Sequence, residues 1–385
     1  MKPRVLFAVV LAACGGGAGS NAPLAVSVEP TQKVSPVVTS DAGPIEAPLP
    51  GVEVALGIGR ICAAIEGRVY CARMLDPEQP IVEERNAVAG IDDATSLAMG
   101  QGFVCAGTHK GKARCAGDNT FGQLGAKLAV ERSEASVEVA GLDQVKRVFA
   151  GPWHACAVLR DNTLHCWGRN ENGQTGSDVV YRPEARELSG PTLVPNVKSD
   201  ELALAFSATC ARTGNDVTCW GLGREDSSRT NERPHTVSAL AGMERMSAGE
   251  SAICGITSGK PMCWGEGRRL VAGGRSGSGP MQVGTIGTAK QIAVADDHAC
   301  VLLADGRVSC FGYPYSQALG RPMEENGYEA VPPLLVDDLP RVVAITVASG
   351  LSCALTRDSE LYCWGRWYNS GGSRSEPKPT RFRLR

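Results

Sequence analysis

Fourteen of the fifteen cysteines fall into seven pairs: Cys62 and Cys71, Cys105 and Cys115, Cys156 and Cys166, Cys210 and Cys219, Cys254 and Cys263, Cys300 and Cys310, Cys353 and Cys363. Members of a pair are nine or ten residues apart, and first members recur every 43 to 54 residues. Five residues before each first cysteine stands Gly57, Gly100, Gly151, Ala205, Gly249, Ala295 or Ala348, always a small residue. After the second cysteine most units continue with an aromatic and a glycine, as in Trp167-Gly168, Trp220-Gly221, Trp264-Gly265, Phe311-Gly312 and Trp364-Gly365. A period of this length, filled with short apolar stretches between turn residues, is that of propeller blades of about four strands each. The 46 glycines fit a chain of many turns. The expected fold is all-β, a seven-bladed β-propeller over residues 51–385.

The two cysteine spacings follow from hairpin register. Where the spacing is nine, the midpoint falls between two turn residues: Glu66-Gly67, Gly214-Asn215 and Ser258-Gly259, suited to two-residue loops. Where it is ten, the loop has three residues: His109-Lys110-Gly111, Arg160-Asp161-Asn162, Ala304-Asp305-Gly306 and Arg357-Asp358-Ser359. The third position of such a loop takes the left-handed conformation, and three of the four supply Gly or Asn there. In either case each cysteine is the fourth residue out from its loop and faces its partner at a non-hydrogen-bonded site, where Cα atoms lie near 4.5 Å. That is within disulfide reach, so one cross-strand disulfide per blade is expected. Zinc sites favour closely spaced Cys-x2-4-Cys pairs, which are absent here. Free buried thiols remain the alternative, and the compartment decides between them.

The N-terminus reads as an export address. Lys2 and Arg4 precede an apolar run from Val5 to Ala13, and Leu11-Ala12-Ala13-Cys14 places small residues before a cysteine. This looks like a bacterial lipobox: residues 1–13 as signal peptide and Cys14 as the lipidated first residue of the mature chain. An ordinary secretory signal with an incidental cysteine is the alternative, and both export the protein. Gly15 in place of Asp directs it, by the sorting rules of double-membraned bacteria, to the outer membrane. Residues 14–50, rich in Gly, Ala, Ser, Pro and Val, read as a flexible tether.

The segment "AGPWHACAVLRDNTLHCWGRNENGQTG" resembles the regulator of chromosome condensation repeat, a unit of seven-bladed propellers. The third unit carries His154, Trp167, Gly168, Asn170, Gly173, Gln174 and Gly176 at the pattern's positions, and the second keeps Asn119, Gly122, Gln123, Leu124 and Gly125. The His position is Arg60, Phe103, Ala208, Ala252 or Leu351 in the other units, except His298 in the sixth. Units 2, 3 and 6 are followed by the longer spacings, so they carry excursions at one edge of the ring. The chain ends with "EPKPTRFRLR" after the last Trp-Gly, and this C-terminal strand is expected to join the first blade and close the ring, removing exposed edges. The resemblance implies two precedents: nucleotide exchange on a nuclear GTPase with chromatin docking, and a secreted bacterial inhibitor of β-lactamase.

No nucleophilic triad, phosphate loop or metal-ligand cluster is readable, and the paired carboxylates Glu83-Glu84 and Asp92-Asp93 fall in variable connections. The formal charge of −2 offers no footprint for nucleic acid. No cofactor and no enzymatic activity are expected. The recurring tryptophans and histidines read as packing between blades, leaving Phe103, Trp153, Tyr313, Tyr315, Trp367 and Tyr368 as candidate contacts for a partner, since Trp and Tyr favour interface hot spots. The expected function is a monomeric, lipid-anchored recognition scaffold in the cell envelope that binds a protein or an envelope polymer. An inhibitor of a secreted or periplasmic enzyme is the alternative, and a hydrolase at the channel a more distant one.

Overall fold

All seven cysteine pairs lie opposite one another on adjacent antiparallel strands. Each pair is disulfide-bonded, with Cα atoms 4.0 to 4.1 Å apart, the short spacing of non-hydrogen-bonded pairs. The computed structural model describes residues 52–73, 77–126, 130–176, 190–199, 201–221, 233–250, 252–265, 270, 279–284, 287–315, 317–323, 329–369 and 372–385. All belong to the second of two units, Gly43–Arg385. The lipobox and the whole of the tether lie outside the described residues.

The described strands form seven sheets. Blade 1 has β1 (Val52–Gly57), β2 (Arg60–Ile65) and β3 (Arg68–Arg73); blade 2 has β4 (Ala94–Met99), β5 (Phe103–Thr108), β6 (Ala113–Asp118) and β7 (Arg132–Glu138). Blade 3 has β8 (Val145–Ala150), β9 (His154–Leu159), β10 (Thr163–Gly168) and β11 (Thr192–Lys198); blade 4 has β12 (Glu201–Leu204), β13 (Ala208–Thr213), β14 (Asp216–Gly221) and β15 (His235–Thr236). Blade 5 has β16 (Glu244–Ala248), β17 (Ala252–Thr257), β18 (Lys260–Gly265) and β19 (Met281–Gln282). Blade 6 has β20 (Ala289–Val294), β21 (His298–Leu303), β22 (Val308–Gly312) and β23 (Val331–Leu335); blade 7 has β24 (Val342–Ala348), β25 (Leu351–Thr356), β26 (Leu361–Asn369) and β27 (Gly372–Phe382). The first strand of each blade lines a central channel. Turns between first and second strands share the upper face with the connections from third to fourth strands, and the cysteine hairpin tips project from the lower face.

Turn chemistry follows the cysteine spacing. The two-residue loops place Glu66 and Gly67, Gly214, and Ser258 and Gly259 at positive φ; the three-residue loops do so at Gly111, Asn162, Gly306 and also Ser359. The small residue at the end of each first strand answers to crowding at the channel. A Cβ on Gly57 would lie 2.9 Å from the Gly100 carbonyl oxygen, one on Gly100 2.5 Å from that of Gly151, and one on Gly249 2.1 Å from that of Ala295. Neighbouring first strands come so close at the upper mouth that only the smallest residues fit.

Packing between blades rests on the aromatic after the second cysteine. Trp167, Trp220, Phe311 and Trp364 are buried. Each buried tryptophan donates its Nε1–H to a carbonyl of the preceding blade: Trp167 to Gln123 (2.9 Å), Trp220 to Gln174 (3.0 Å) and Trp364 to Ala318 (2.8 Å). Two of these carbonyls also end a relay. Thr209 Oγ1 donates to the Gln174 carbonyl (2.8 Å), so it must accept from His154 Nε2–H (2.8 Å). Ser352 Oγ likewise donates to the Ala318 carbonyl (2.9 Å) and accepts from His298 Nε2 (2.8 Å). Burial holds the His154 imidazole neutral, with its pKa lowered to about 3. Where the histidine is missing, the facing hydroxyl is missing too: Phe103 is matched by Ala155, Ala208 by Ile253, Ala252 by Ala299 and Leu351 by Ile61.

Closure corrects one expectation. The C-terminal strand β27 pairs with β26 of blade 7, not with blade 1, whose sheet has three strands. Its register extends from Leu361↔Phe382 to Asn369↔Gly372, pairing that blade 1 could not offer. The fourth position of blade 1 is taken by its own connection, through the Tyr70↔Ala87 bridge and the bond from Val88 N–H to the Val69 carbonyl. The residues just past β27 then join the ends of the ring: Ile81 N–H donates to the Arg383 carbonyl and Val82 N–H to that of Leu384. Phe382 and Leu384 pack with Leu56, Ile61, Ile65 and Ile81 of blade 1 in one core.

Candidate functional site

The connection from third to fourth strand folds on its own Asn and Gln. In blade 2, Asn119 Oδ1 accepts from Leu124 N–H (3.1 Å), Asn119 Nδ2 donates to the Val130 carbonyl (2.9 Å), and Gln123 Oε1 accepts from Phe121 N–H (2.7 Å). Blade 3 repeats this with Asn170 and Gln174, which accept from Thr175 and Asn172. All four side chains are buried, so the polar motif is a loop scaffold. What it presents is Phe121, half-buried on the upper face.

Around Phe121 three blades contribute to one cluster. The Trp153 ring, from the first turn of blade 3, meets Phe121 edge-on at 5.6 Å between centroids. The Arg169 guanidinium, just past β10, lies 5.0 Å from the Phe121 centroid and 4.9 Å from that of Phe206, in the first turn of blade 4. Glu171 pairs with Arg169. Trp153, Phe121 and Phe206 are all half-buried, and Trp153 Nε1 is buried without a hydrogen-bond partner among the described residues. Such a cation held between rings is a rigid, amphipathic patch.

The expected contact residues divide. Trp153 belongs to the cluster. Phe103 does not: it is 1% exposed and packs in the core with Leu124 and Trp167, because it fills the slot that His154 fills in the next blade. Tyr313 is half-buried, its N–H donating to the Asp297 carbonyl (2.7 Å). Tyr315 is 53% exposed, with the Arg366 guanidinium 5.0 Å from its ring centroid, a smaller patch on the same face. Trp367 and Tyr368 lie on β26 opposite Arg374 and Ser373, and their side chains are outside the described residues. The sequence reading missed Phe121, Arg169 and Phe206. Phe206 follows the small residue Ala205 in the turn that carries Trp153 in the preceding unit, one position earlier in the repeat, and an aromatic in that turn was the available signal. Of the carboxylate pairs in the connections, Glu83 and Glu84 form ion pairs with Arg85 and Arg68.

A second feature encircles the channel. Four residues before the small position stand Glu53, Ser96, Arg147, Glu201, Arg245, Gln291 and Ala344. Four of these accept from a backbone N–H of the next blade's first strand: Glu53 from Leu97 (2.7 Å), Ser96 from Val148 (3.3 Å), Glu201 from Met246 (2.6 Å) and Gln291 from Ile345 (3.1 Å). Ser247 does the same for Val294 (3.0 Å). First strands are the inner edges of their sheets, and these bonds satisfy edge donors that no strand covers. Burial raises the Glu53 carboxyl above its ordinary range, against the Leu97 bond and the Arg147 charge. At the upper mouth Asp296 is raised by burial as well. Among the described residues no group of three or more His, Cys, Asp or Glu side chains is placed to hold a metal ion, and no helix is long and apolar enough to cross a membrane.

The regulator of chromosome condensation (RCC1) repeat family matches residues 145–174 and 289–316, the stretches that hold His154 and His298. The ultraviolet-B receptor UVR8 of Arabidopsis thaliana is 26% identical over 243 residues, covering 60% of this chain and 44% of the receptor. The probable E3 ubiquitin-protein ligase HERC6 of Homo sapiens is 28% identical over 225 residues, covering 53% of this chain and 22% of the ligase. The chain therefore spans less than half the length of either. Among solved structures, yeast RCC1 (Prp20), seen bound to Kap60, has a TM-score of 0.64 at 19% identity over 74% of each chain. Human WBSCR16 has a TM-score of 0.64 at 19% identity over 85% of this chain and 90% of its own. At such identities these likenesses establish the fold. The protein is a seven-bladed β-propeller in which residues 145–174 and 289–316 match the RCC1 repeat.

Proposed function

We propose that this propeller is a non-enzymatic recognition scaffold, lipid-anchored through Cys14 in the bacterial cell envelope, that binds a protein partner through its upper face. The observation that carries the reading is the gathering of Phe121, Trp153 and Phe206 around Arg169. Three blades hold these side chains, Phe121 on the loop pinned by buried Asn119 and Gln123 and Phe206 with its carbonyl bonded by Gln174 Nε2 (3.4 Å), so the patch is ordered before it meets a partner, which lowers the entropy lost on binding. The lipobox and the tether supply the anchoring. The paired cysteines suit an oxidising compartment.

A photo-crosslinking amino acid at Ser207, beside the cluster, tests the face; one at Lys110, on a hairpin tip of the lower face, is the control. The expected result is a partner crosslinked from Ser207 but not from Lys110, and lost when Trp153→Ala and Arg169→Ala are combined. A captured enzyme whose activity falls would make the scaffold an inhibitor. Crosslinking from Lys110 alone, or crosslinking from Ser207 that survives the double substitution, would refute the site. Mass spectrometry of the mature N-terminus tests the anchor separately, the expected finding being a lipid on Cys14.

A further inference from the structure

The seam between blades 1 and 2 lacks the aromatic that fills the seam after it. Trp167 of blade 3 packs in one core with Phe103, Cys105, Cys115 and Val139 of blade 2. One blade earlier, Ala116 stands in the place of Trp167, and the surrounding positions are Arg60, Cys62, Cys71 and Val88. Register fixes the match: Val88 N–H donates to the Val69 carbonyl as Val139 N–H donates to that of Ala113, each acceptor two residues before its blade's second cysteine. A cavity of about 440 Å³ opens there, lined by all five of these residues. Cys71 is half-buried in it, whereas every other paired cysteine is buried.

Charge collects at the rim. Arg60 and Arg73 face each other across β2 and β3, two residues along from the Cys62–Cys71 pair. This is again a non-hydrogen-bonded site, where side chains come closest, and like charges directly opposite destabilise a sheet. The other six blades have glycine in the place of Arg73: Gly117, Gly168, Gly221, Gly265, Gly312 and Gly365, all at positive φ. Neither Arg60 nor Arg73 makes a hydrogen bond or ion pair among the described residues. Glu134, the carboxylate that lines the cavity, is bonded to Arg132 (2.6 Å). It is shared by three guanidinium groups, Arg132 first and then Arg60 and Arg73, which hold it below its ordinary range. Burial, and after it the Arg132 charge, lowers Arg60 in turn.

We propose that this seam binds a diffusible aromatic carboxylate, its ring beside Ala116 where the next seam holds an indole, its carboxylate between Arg60 and Arg73. The ring would bury against Val88, Val104 and Met99. The carboxylate would replace a like-charge contact with charge-assisted hydrogen bonds to guanidinium groups. The ligand is a free molecule and not an added strand, because blade 1's own connection holds the fourth-strand place through the Tyr70↔Ala87 bridge. That connection also walls the cavity, pinned by Asn86 Nδ2 donating to the Ile81 carbonyl (3.0 Å). The site lies outside the Phe121 cluster and does not depend on the reading built on that cluster.

The test titrates the full, oxidised chain with indole-3-propionate by calorimetry at fixed ionic strength, with the neutral indole-3-propionamide beside it. Saturable binding of the acid is expected, weakened by at least about tenfold for the amide, in Arg60→Gln and in Arg73→Gln, and unchanged in Lys110→Gln on the lower face. Ala116→Trp, which fills the slot from the chain itself, should abolish binding and raise the thermal midpoint; if it does not fold, the arginine variants decide. Thermal midpoints without ligand verify folding, and Arg73→Gln should be no less stable than wild type because it removes a like-charge pair. Equal affinity for acid and amide, equal affinity in wild type and Arg60→Gln, or no saturable binding would overturn the proposal. So would binding of the peptide Gly-Gly-Trp without binding of indole-3-propionate, which would make the seam a receptor for a chain terminus.

Discussion

Thr209→Ala breaks the relay between blades 3 and 4 at its middle. It leaves the Gln174 carbonyl bonded to Trp220 Nε1–H but strands the His154 Nε2–H, fully buried, with no acceptor. A buried donor left unsatisfied costs about 1 to 3 kcal/mol, and the lost methyl group adds about 1 kcal/mol, for a total of about 2 to 4 kcal/mol. His154→Phe alone should cost less, because Thr209 still donates to Gln174. The double variant His154→Phe/Thr209→Ala recreates the Phe103 and Ala155 pairing that the preceding seam already uses. It should therefore recover at least about 1.5 kcal/mol relative to the sum of the single changes. Urea unfolding of the oxidised protein, with transition slopes compared across the four forms, supplies the cycle. A coupling within about 0.5 kcal/mol of zero would refute the idea that the hydroxyl exists for the histidine.

Acidification should destabilise the wild type between pH 6.5 and about 3 through His154, whose folded-state pKa lies at about 3. In that window the unfolded chain binds a proton that the folded chain does not, so stability falls by up to about 1.4 kcal/mol per pH unit for this group; His154→Phe should remove that increment from a pH series of unfolding midpoints. Gly249→Ala places a Cβ 2.1 Å from the Ala295 carbonyl oxygen and should cost more than about 2 kcal/mol. Gly141→Ala, at a φ of +72° with open space around it, should cost only about 1 kcal/mol, and thermal unfolding distinguishes the two. Removing the Cys156–Cys166 link by paired alanine substitution should cost about 2.5 to 3 kcal/mol without disturbing the other six, as non-reducing peptide mapping would show.

The blade hairpins were legible in the sequence because side chains alternate with a period of two. Turn residues midway between cysteines therefore fix which residues face each other, and even Ser359 adopts the positive φ that its place in the count required. The channel girdle was not legible. Glu53, Ser96, Glu201 and Gln291 share a position in the repeat, but their partners are backbone N–H groups, which carry no residue signature. Phe103 was misread for a related reason: it departs from the repeat in chemistry while keeping the repeat's place, and place decides burial. The partner of β27 could not be read because its alternation suits either neighbouring sheet, and only the long pairing with β26 chooses. The upper-face cluster was half legible: Trp153 stands out as an aromatic, whereas Arg169 gains its role only when the folded ring brings Phe121 and Phe206 to either side of it.

Every disulfide among the described residues closes a loop inside one hairpin, and none crosses from one blade to the next. Under mechanical load the bridges would therefore act as rivets within plates and not as hoops around the ring. A pull applied at Val52 against Arg385 would bear on the seam between the first and last blades, which hydrogen bonds from Ile81 and Val82 and the packing of Phe382 and Leu384 hold without any covalent link. Stretched from its two ends, the ring should open at that seam as a first event of low force. The blades should then come apart in turn, each withholding the short length of chain that its own bridge encloses.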